Sequence, residues 1–252
     1  MEEQASPKKA TPARFEETRW SMVLASAQTQ APGAKEALAR LCRTYWHPLY
    51  AFVRRRGLDH HRAQDVIQNF FLNLIESKSL TRVDPLKGRF RSYLLTCLQH
   101  HMASEAVKNN ALKRGGGAAA ISIDEADVES KFEASHYSPR AAAEAIFERE
   151  WAVAAIEAAL GQLEADFARR GKREVFRILK PFLTDDQPLG AYEEAAQKLG
   201  QPAGTVRTGV SRLRSDFRTH LRREVAKTVE FPDQIDEEMR HLRSVLSNET
   251  AG

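Results

Sequence analysis

The sequence is poor in cysteine and contains no long apolar run. Cys42 and Cys97 are the only cysteines in 252 residues, a number that fits a reducing compartment and excludes a disulfide framework. No segment approaches the roughly 18 apolar residues of a membrane span, and the polar N-terminus has no apolar core for a signal peptide. We therefore expect a cytoplasmic protein that contacts no membrane.

The sequence also lacks a recognisable catalytic, metal or nucleotide site. Cys97, His100 and His101 have a spacing that places side chains together on a helix, but no further ligands are recognisable. The glycines at 115–117 are not followed by the lysine of a phosphate-binding loop. No nucleophile, base and acid can be grouped from their spacing. We expect no enzymatic activity, no cofactor and no metal.

The charge distribution is more informative than the net charge of +4. Ala203 to Arg223 contain six arginines against one aspartate, and Lys78 to Arg114 contain eight basic residues against two acidic ones. Between them, Ile121 to Glu150 contain eight acidic and three basic residues. Two basic segments therefore flank an acidic one, which is either a solvated linker or a mimic of nucleic acid.

The clearest structural pattern covers residues 192–221. An amphipathic helix ends at Gly200, where positive φ is favoured, and Pro202 prevents its continuation. A second helix follows from about Ala203, with one apolar stripe formed by Val206, Val210, Leu213, Phe217 and Leu221. These features predict a helix-turn-helix whose second helix turns arginines and hydroxyls outward. Arginine favours phosphate and base-edge contacts, and the alternative is a solvated face on an ordinary helical hairpin.

The first half of the chain predicts a helical bundle. A helical period runs from Lys35 to Arg56, with a kink or restart expected at Pro48, and two further helices follow at 61–80 and from about Phe90. Phe90 and Tyr93 lie among basic residues, an arrangement that suits single-stranded nucleic acid because bases stack on aromatic rings. The alternative is that both rings belong to the core.

The predicted fold is all-α, with two small helical domains joined by a flexible acidic linker. A disordered tail at 1–14 precedes a helical bundle domain at 15–112, whose first helix begins near Thr18. The linker covers 113–140, and the helix-turn-helix domain covers 141–225. The second domain begins with one long helix, in which Gly161 is a candidate break, and a further helix ends at Pro181. A C-terminal extension at 226–252 contains a short helix that starts at Phe231-Pro232. This helix is expected to fold back on one domain or the other.

Three motifs occur in the order found in bacterial RNA polymerase sigma factors: DVIQNFFLNLIE, GRFRSYLLTCLQ and YEEAAQKLGQPAGTVRTGVSRLRSDFRTHL. Over residues 18–112 and 141–225 the chain resembles the extracytoplasmic-function (ECF) group of the sigma-70 family. The resemblance implies a protein that is monomeric when free, binds core RNA polymerase and directs promoter recognition and transcription initiation.

The resemblance also implies a role for individual residues. The polymerase-binding positions are Asp65, Gln68, Asn69 and Asn73. The positions that bind the melted promoter strand are Arg89, Phe90, Arg91, Tyr93 and Gln99. The positions that contact the upstream promoter element are Thr205, Arg207, Thr208, Ser211, Arg212, Arg214 and Arg218.

Several positions depart from the family pattern. Arg62, Ala63 and Gln64 precede Asp65 where the family usually has more acidic residues, and Asn69 replaces a common Glu. Fewer carboxylates weaken docking on a basic polymerase surface, so we hypothesise that core binding needs an activator, a modification or the chain's own extensions. An anti-sigma factor is a further candidate partner. The alternative function is a stand-alone helix-turn-helix DNA-binding regulator, or a degenerate sigma-like protein that acts through protein contacts.

Overall fold

The computed structural model describes residues 34–76, 89–111, 130, 132, 142–184, 187–229 and 231–247. These ranges contain α-helices, short 3₁₀ helices and no strand, which confirms the predicted all-α class. None of the described helices is long and apolar enough to cross a membrane. The predicted tail at 1–14, the helix from Thr18 and almost all of the linker at 113–140 lie outside the described residues.

Three helices form the first bundle: α1 (Ala34–Arg55), α2 (His60–Glu76) and α3 (Phe90–Ala111). Gly57, at φ 91°, ends the α1 segment as its position predicts. Of the kink or restart predicted at Pro48, the restart is wrong, because α1 continues through this residue. Proline costs about 3 kcal/mol inside a helix, and packing on both sides offsets that cost, since Trp46 before it and Leu49 after it are buried.

Helix α4 (Ala143–Arg169) connects two hydrophobic clusters. Its first half packs along α1, where Phe147 and Trp151 are fully buried within the same cluster as the first bundle. Its second half contributes Leu163 to the other cluster. The expected break at Gly161 is absent, because α4 is continuous past this exposed residue. The predicted domain boundaries remain predictions, but the first cluster contains residues from both predicted domains.

The second cluster is built by four consecutive elements and the end of α4. They are α5 (Arg173–Leu179), a 3₁₀ helix (Lys180–Leu183), α6 (Ala191–Leu199) and α7 (Ala203–Ala226). Helix α5 ends two residues before Pro181, which lies in the 3₁₀ helix instead of ending an α-helix. Val206, Val210 and Leu213 are buried here, as the predicted stripe requires.

The C-terminal extension forms helix α8 (Ile235–Ser247), which follows a 3₁₀ helix at Pro232–Gln234. It packs against both α4 and α7, and Leu242 is buried in the first cluster. Within the predicted linker the structure describes Ser130 and Phe132, and the ring of Phe132 lies 5.1 Å from the Arg54 guanidinium.

Replacement by alanine should have opposite effects on stability at Gly209 and Gly200. Gly209 lies inside α7, and an added Cβ would meet Leu179 Cδ1 at an ordinary 3.5 Å. Gly209→Ala should therefore raise the free energy of unfolding by about 0.5–1 kcal/mol through helix propensity. Gly200 has open space but a φ of 62°, so Gly200→Ala should lower that free energy by about 1 kcal/mol.

Urea unfolding followed by circular dichroism measures both variants against the parent chain. A loss of stability in Gly209→Ala would contradict the placement of this residue inside α7.

Candidate nucleic-acid interface

The turn between α6 and α7 fixes how α7 leaves the second cluster. Gly200 adopts the left-handed conformation at the end of α6, and the N–H of Gln201 donates to the carbonyl of Ala196 at 3.0 Å. Pro202 then precedes the first turn of α7 in an extended conformation. Because the apolar stripe of α7 faces α4, α5 and α6, its arginine-bearing side faces outward.

Most of the predicted contact residues on α7 are exposed. These are Thr205, Arg207, Thr208, Ser211, Arg212 and Arg218. Neither Arg212 nor Arg218 has an ion-pair partner among the described residues, whereas Arg207 pairs with Glu193 at 3.1 Å and lies 5.3 Å from the Tyr192 ring. An open cleft lies along this side, lined by Tyr192, Arg207, Val210, Ser211, Arg214, Ser215 and Arg218. The exposed arginines give this face a positive charge, which favours contact with polyanions.

Arg214 differs from the other predicted contact residues because it is partly buried. Its Nε donates to the carbonyl oxygen of Phe182 at 2.9 Å, and its Nη2 to that of Thr184 at 3.4 Å. These bonds fix the end of the 3₁₀ helix against α7. In this conformation, the guanidinium therefore supports the fold beneath the basic face.

The aromatic residues at the start of α3 are not both available to a ligand. Phe90 is 1% exposed and packs edge-on against Tyr45, with ring centroids 5.5 Å apart. Tyr93 is half-buried, and its ring lies 6.4 Å from that of Phe90. Of the two interpretations open for Phe90, the described conformation agrees with the core one. For Tyr93 it leaves part of the ring exposed.

Two of the predicted melted-strand residues, Arg91 of α3 and Arg89 just before it, are paired with carboxylates from α4 and α8. Arg91 is 2% exposed; its Nε lies 2.6 Å from Glu148, and its Nη1 also pairs with Glu238. Its guanidinium lies 4.4 Å from the Trp151 ring. Arg89 pairs with Glu237 at 2.6 Å and with Glu238 at 2.5 Å.

Sequence reasoning missed this arrangement. Gln99, the fifth predicted melted-strand residue, donates to Glu144 at 3.4 Å. The only signal in the sequence is complementary charge, since the acidic run at 236–238 matches the two arginines at 89 and 91. Spacing could not reveal a pairing across 147 residues, which is the separation of Arg91 and Glu238.

The predicted polymerase-binding residues lie on the outer side of α2. Asp65 and Asn73 are exposed, while Gln68 and Asn69 are half-buried. The side-chain nitrogen of Asn73 donates to the carbonyl of Asn69 at 2.8 Å. The structure thus brings these four side chains to one face of one helix.

The start of α2 clarifies two of the departures from the family pattern. Ala63 and Gln64 are buried, so a carboxylate at either position would not face solvent. The exposed Asp59 accepts a hydrogen bond from the backbone N–H of Arg62 at 2.9 Å, and this bond lowers the pKa of Asp59. The loss of acidic character therefore affects the outer face chiefly at Arg62 and Asn69.

Residues 41–111 match the family model of sigma-70 region 2, which covers most of α1 and all of α2 and α3. The match supports a sigma-70 family RNA polymerase sigma factor, whose region 2 binds core RNA polymerase and promoter DNA. No curated protein and no solved structure matches the chain.

Two neighbouring arginines of α7 should separate binding from stability. Arg212→Ala removes an exposed side chain and should change the free energy of unfolding by less than about 0.5 kcal/mol. Arg214→Ala leaves the carbonyl oxygens of Phe182 and Thr184 without this donor and should lower it by about 1–3 kcal/mol. Thermal and urea unfolding of both variants check this difference, and equal stability would contradict the supporting role of Arg214.

Proposed function

We propose that the chain is a sigma factor of the ECF group, which binds core RNA polymerase and directs promoter recognition and transcription initiation. The observation that carries this proposal is the occurrence, in one chain, of a sigma-70 region 2 and a separate helical pair with an exposed arginine face. A sigma factor needs both, because it holds the polymerase and also contacts promoter DNA at more than one place.

Helix α2 is the proposed docking surface for core polymerase. Asp65, Gln68, Asn69 and Asn73 share its outer face, which the packing of α1 and α3 leaves accessible. With a single carboxylate among these four residues, electrostatic attraction to a basic surface is modest. An activating modification or partner would compensate for that deficit, and an anti-sigma factor would compete for the same surface.

Helix α7 is the proposed reader of the upstream promoter element. The major groove of DNA admits an α-helix, and arginine recognises both guanine edges and phosphates. Arg212 and Arg218 are exposed with no ion-pair partner among the described residues, while Arg207 would exchange Glu193 for DNA. Thr205, Thr208 and Ser211 supply hydroxyl groups beside them. The two helices α6 and α7 then act as a DNA-binding helix-turn-helix.

Helix α3 is the proposed contact for the melted promoter strand. Arg89, Phe90, Arg91 and Tyr93 lie at its start, and Gln99 lies further along it. In the described conformation Phe90 is buried, and the arginines and Gln99 contact acidic residues. Strand binding therefore requires these residues to exchange their acidic partners for DNA.

Catalysis belongs to the polymerase, so the proposed role requires no enzymatic group or cofactor in this chain and places the protein in the cytoplasm.

Run-off transcription tests the proposal directly. Core RNA polymerase and genomic fragments from the source organism are combined with the purified chain, and we expect transcripts that start at discrete sites.

Arg212→Ala should weaken binding at those promoters by about 1–3 kcal/mol if the residue contacts a base; a phosphate contact should instead lower the salt slope by about one. Footprinting and salt titration distinguish these two cases.

The alternative functions predict a different outcome. A stand-alone DNA-binding regulator would bind duplex DNA but give no transcripts with core polymerase. A pull-down with core polymerase separates a missing activator from a wrong proposal. Tight binding by the unmodified chain would remove the need for an activator, and bound polymerase that never initiates would contradict the sigma-factor role.

A further inference from the structure

The C-terminal helix α8 covers the arginines at the start of α3. Glu238 is 2% exposed and pairs with both Arg89 and Arg91, while Glu237 pairs with Arg89 alone. We call Glu237 and Glu238 the α8 carboxylate pair. An unpaired buried charge is costly, so these contacts tie α8 and α3 together as long as Arg91 stays buried.

Three further contacts hold α8 in this position. Leu242 is buried against the first cluster, which gives the helix an apolar anchor. Asp236 pairs with Arg222 of α7, and His241 lies 2.8 Å from Glu148 of α4. Helix α8 is therefore docked on α3, α4 and α7 at once.

The α8 carboxylates occupy the groups that a nucleic-acid strand would use. A phosphate binds arginine through the same N–H donors as a carboxylate, so one guanidinium cannot satisfy both along the same edge. Release of α8 would free Arg89 and one side of Arg91, while Glu148 would still hold Nε of Arg91. Phe90 would remain packed on Tyr45, because that contact lies within the first bundle.

We propose that α8 is an autoinhibitory element that blocks single-stranded DNA from the start of α3 until it is displaced. This inference rests on the proposed function, because it concerns the surface that contacts the melted strand. As the last described helix of the chain, α8 can move away without rearranging the connections between other helices. Strand binding and α8 docking then exclude each other, and each lowers the apparent affinity of the other.

The test compares full-length variants for binding to a fluorescein-labelled, mixed-sequence single-stranded DNA, followed by anisotropy. Glu237→Gln with Glu238→Gln removes the α8 carboxylate pair and should lower the Kd by about fivefold or more. The charge control is Asp233→Asn, which removes one exposed carboxylate just before α8 that has no ion-pair partner among the described residues. We expect its Kd to change by less than about twofold, because only bulk charge is altered.

A second variant covers the case in which the charge variant does not fold, as judged by circular dichroism. Leu242→Ala shortens the apolar anchor without changing any charge and should also lower the Kd for single-stranded DNA. Hydrogen exchange supplies an independent measurement: amides of α8 in the unsubstituted chain should lose protection when the strand binds.

The outcomes separate this inference from the proposed function. Equal single-strand affinity in the unsubstituted chain and both α8 variants, with transcription intact, would overturn the inference alone. An equal gain in Asp233→Asn would also overturn it, because bulk charge would then be the cause. If no variant binds single strands and none supports run-off transcription, both the inference and the proposed function fail.

Discussion

The burial of Arg91 is the constraint that brings three helices of this structure together. A guanidinium that is 2% exposed must be paired and hydrogen-bonded, and Glu148, Glu238 and the face of Trp151 together meet that need. Arg91 itself lies in α3, whereas its partners belong to α4 and α8, which are far from it in sequence. Placing one charge in the interior therefore requires that three helices meet, and it decides which surface of α3 is accessible to a ligand.

Helix α4, which contains two of the Arg91 partners, also links the two hydrophobic clusters. Its first half is buried against the first bundle, and its second half contributes to the cluster that supports α7. The segment that matches sigma-70 region 2 and the basic face of α7 are thus connected by one continuous helix and not only by the acidic segment before it. His220 of α7 lies 3.2 Å from Asp166 of α4 and adds a polar contact at the same junction.

The predictions that are wrong concern residues whose local cost is outweighed by packing. A proline inside α1 indicated a kink or a restart and a glycine inside α4 a break, yet α1 does not restart and α4 does not break. In α4, Ala159 and Leu163 are buried on either side of the exposed Gly161, and this anchoring exceeds the cost of about 1 kcal/mol for glycine in a helix. The ends at Gly57 and Gly200 were predictable because positive φ is a local requirement that glycine meets best.

The sequence by itself determined the helices, the turn before α7, the inward stripe of Val206, Val210 and Leu213, and the outer face of α2. These follow from periodicity and backbone preference, which act between neighbouring residues. Tertiary structure alone decided that Phe90 is a core residue, that Arg214 supports the 3₁₀ helix and that α8 covers Arg89 and Arg91. The burial of Phe90 depends on the packing of α3 against Tyr45 of α1. The other two outcomes depend on which distant carboxylates and carbonyls reach a given guanidinium, and that choice is made only when the helices pack.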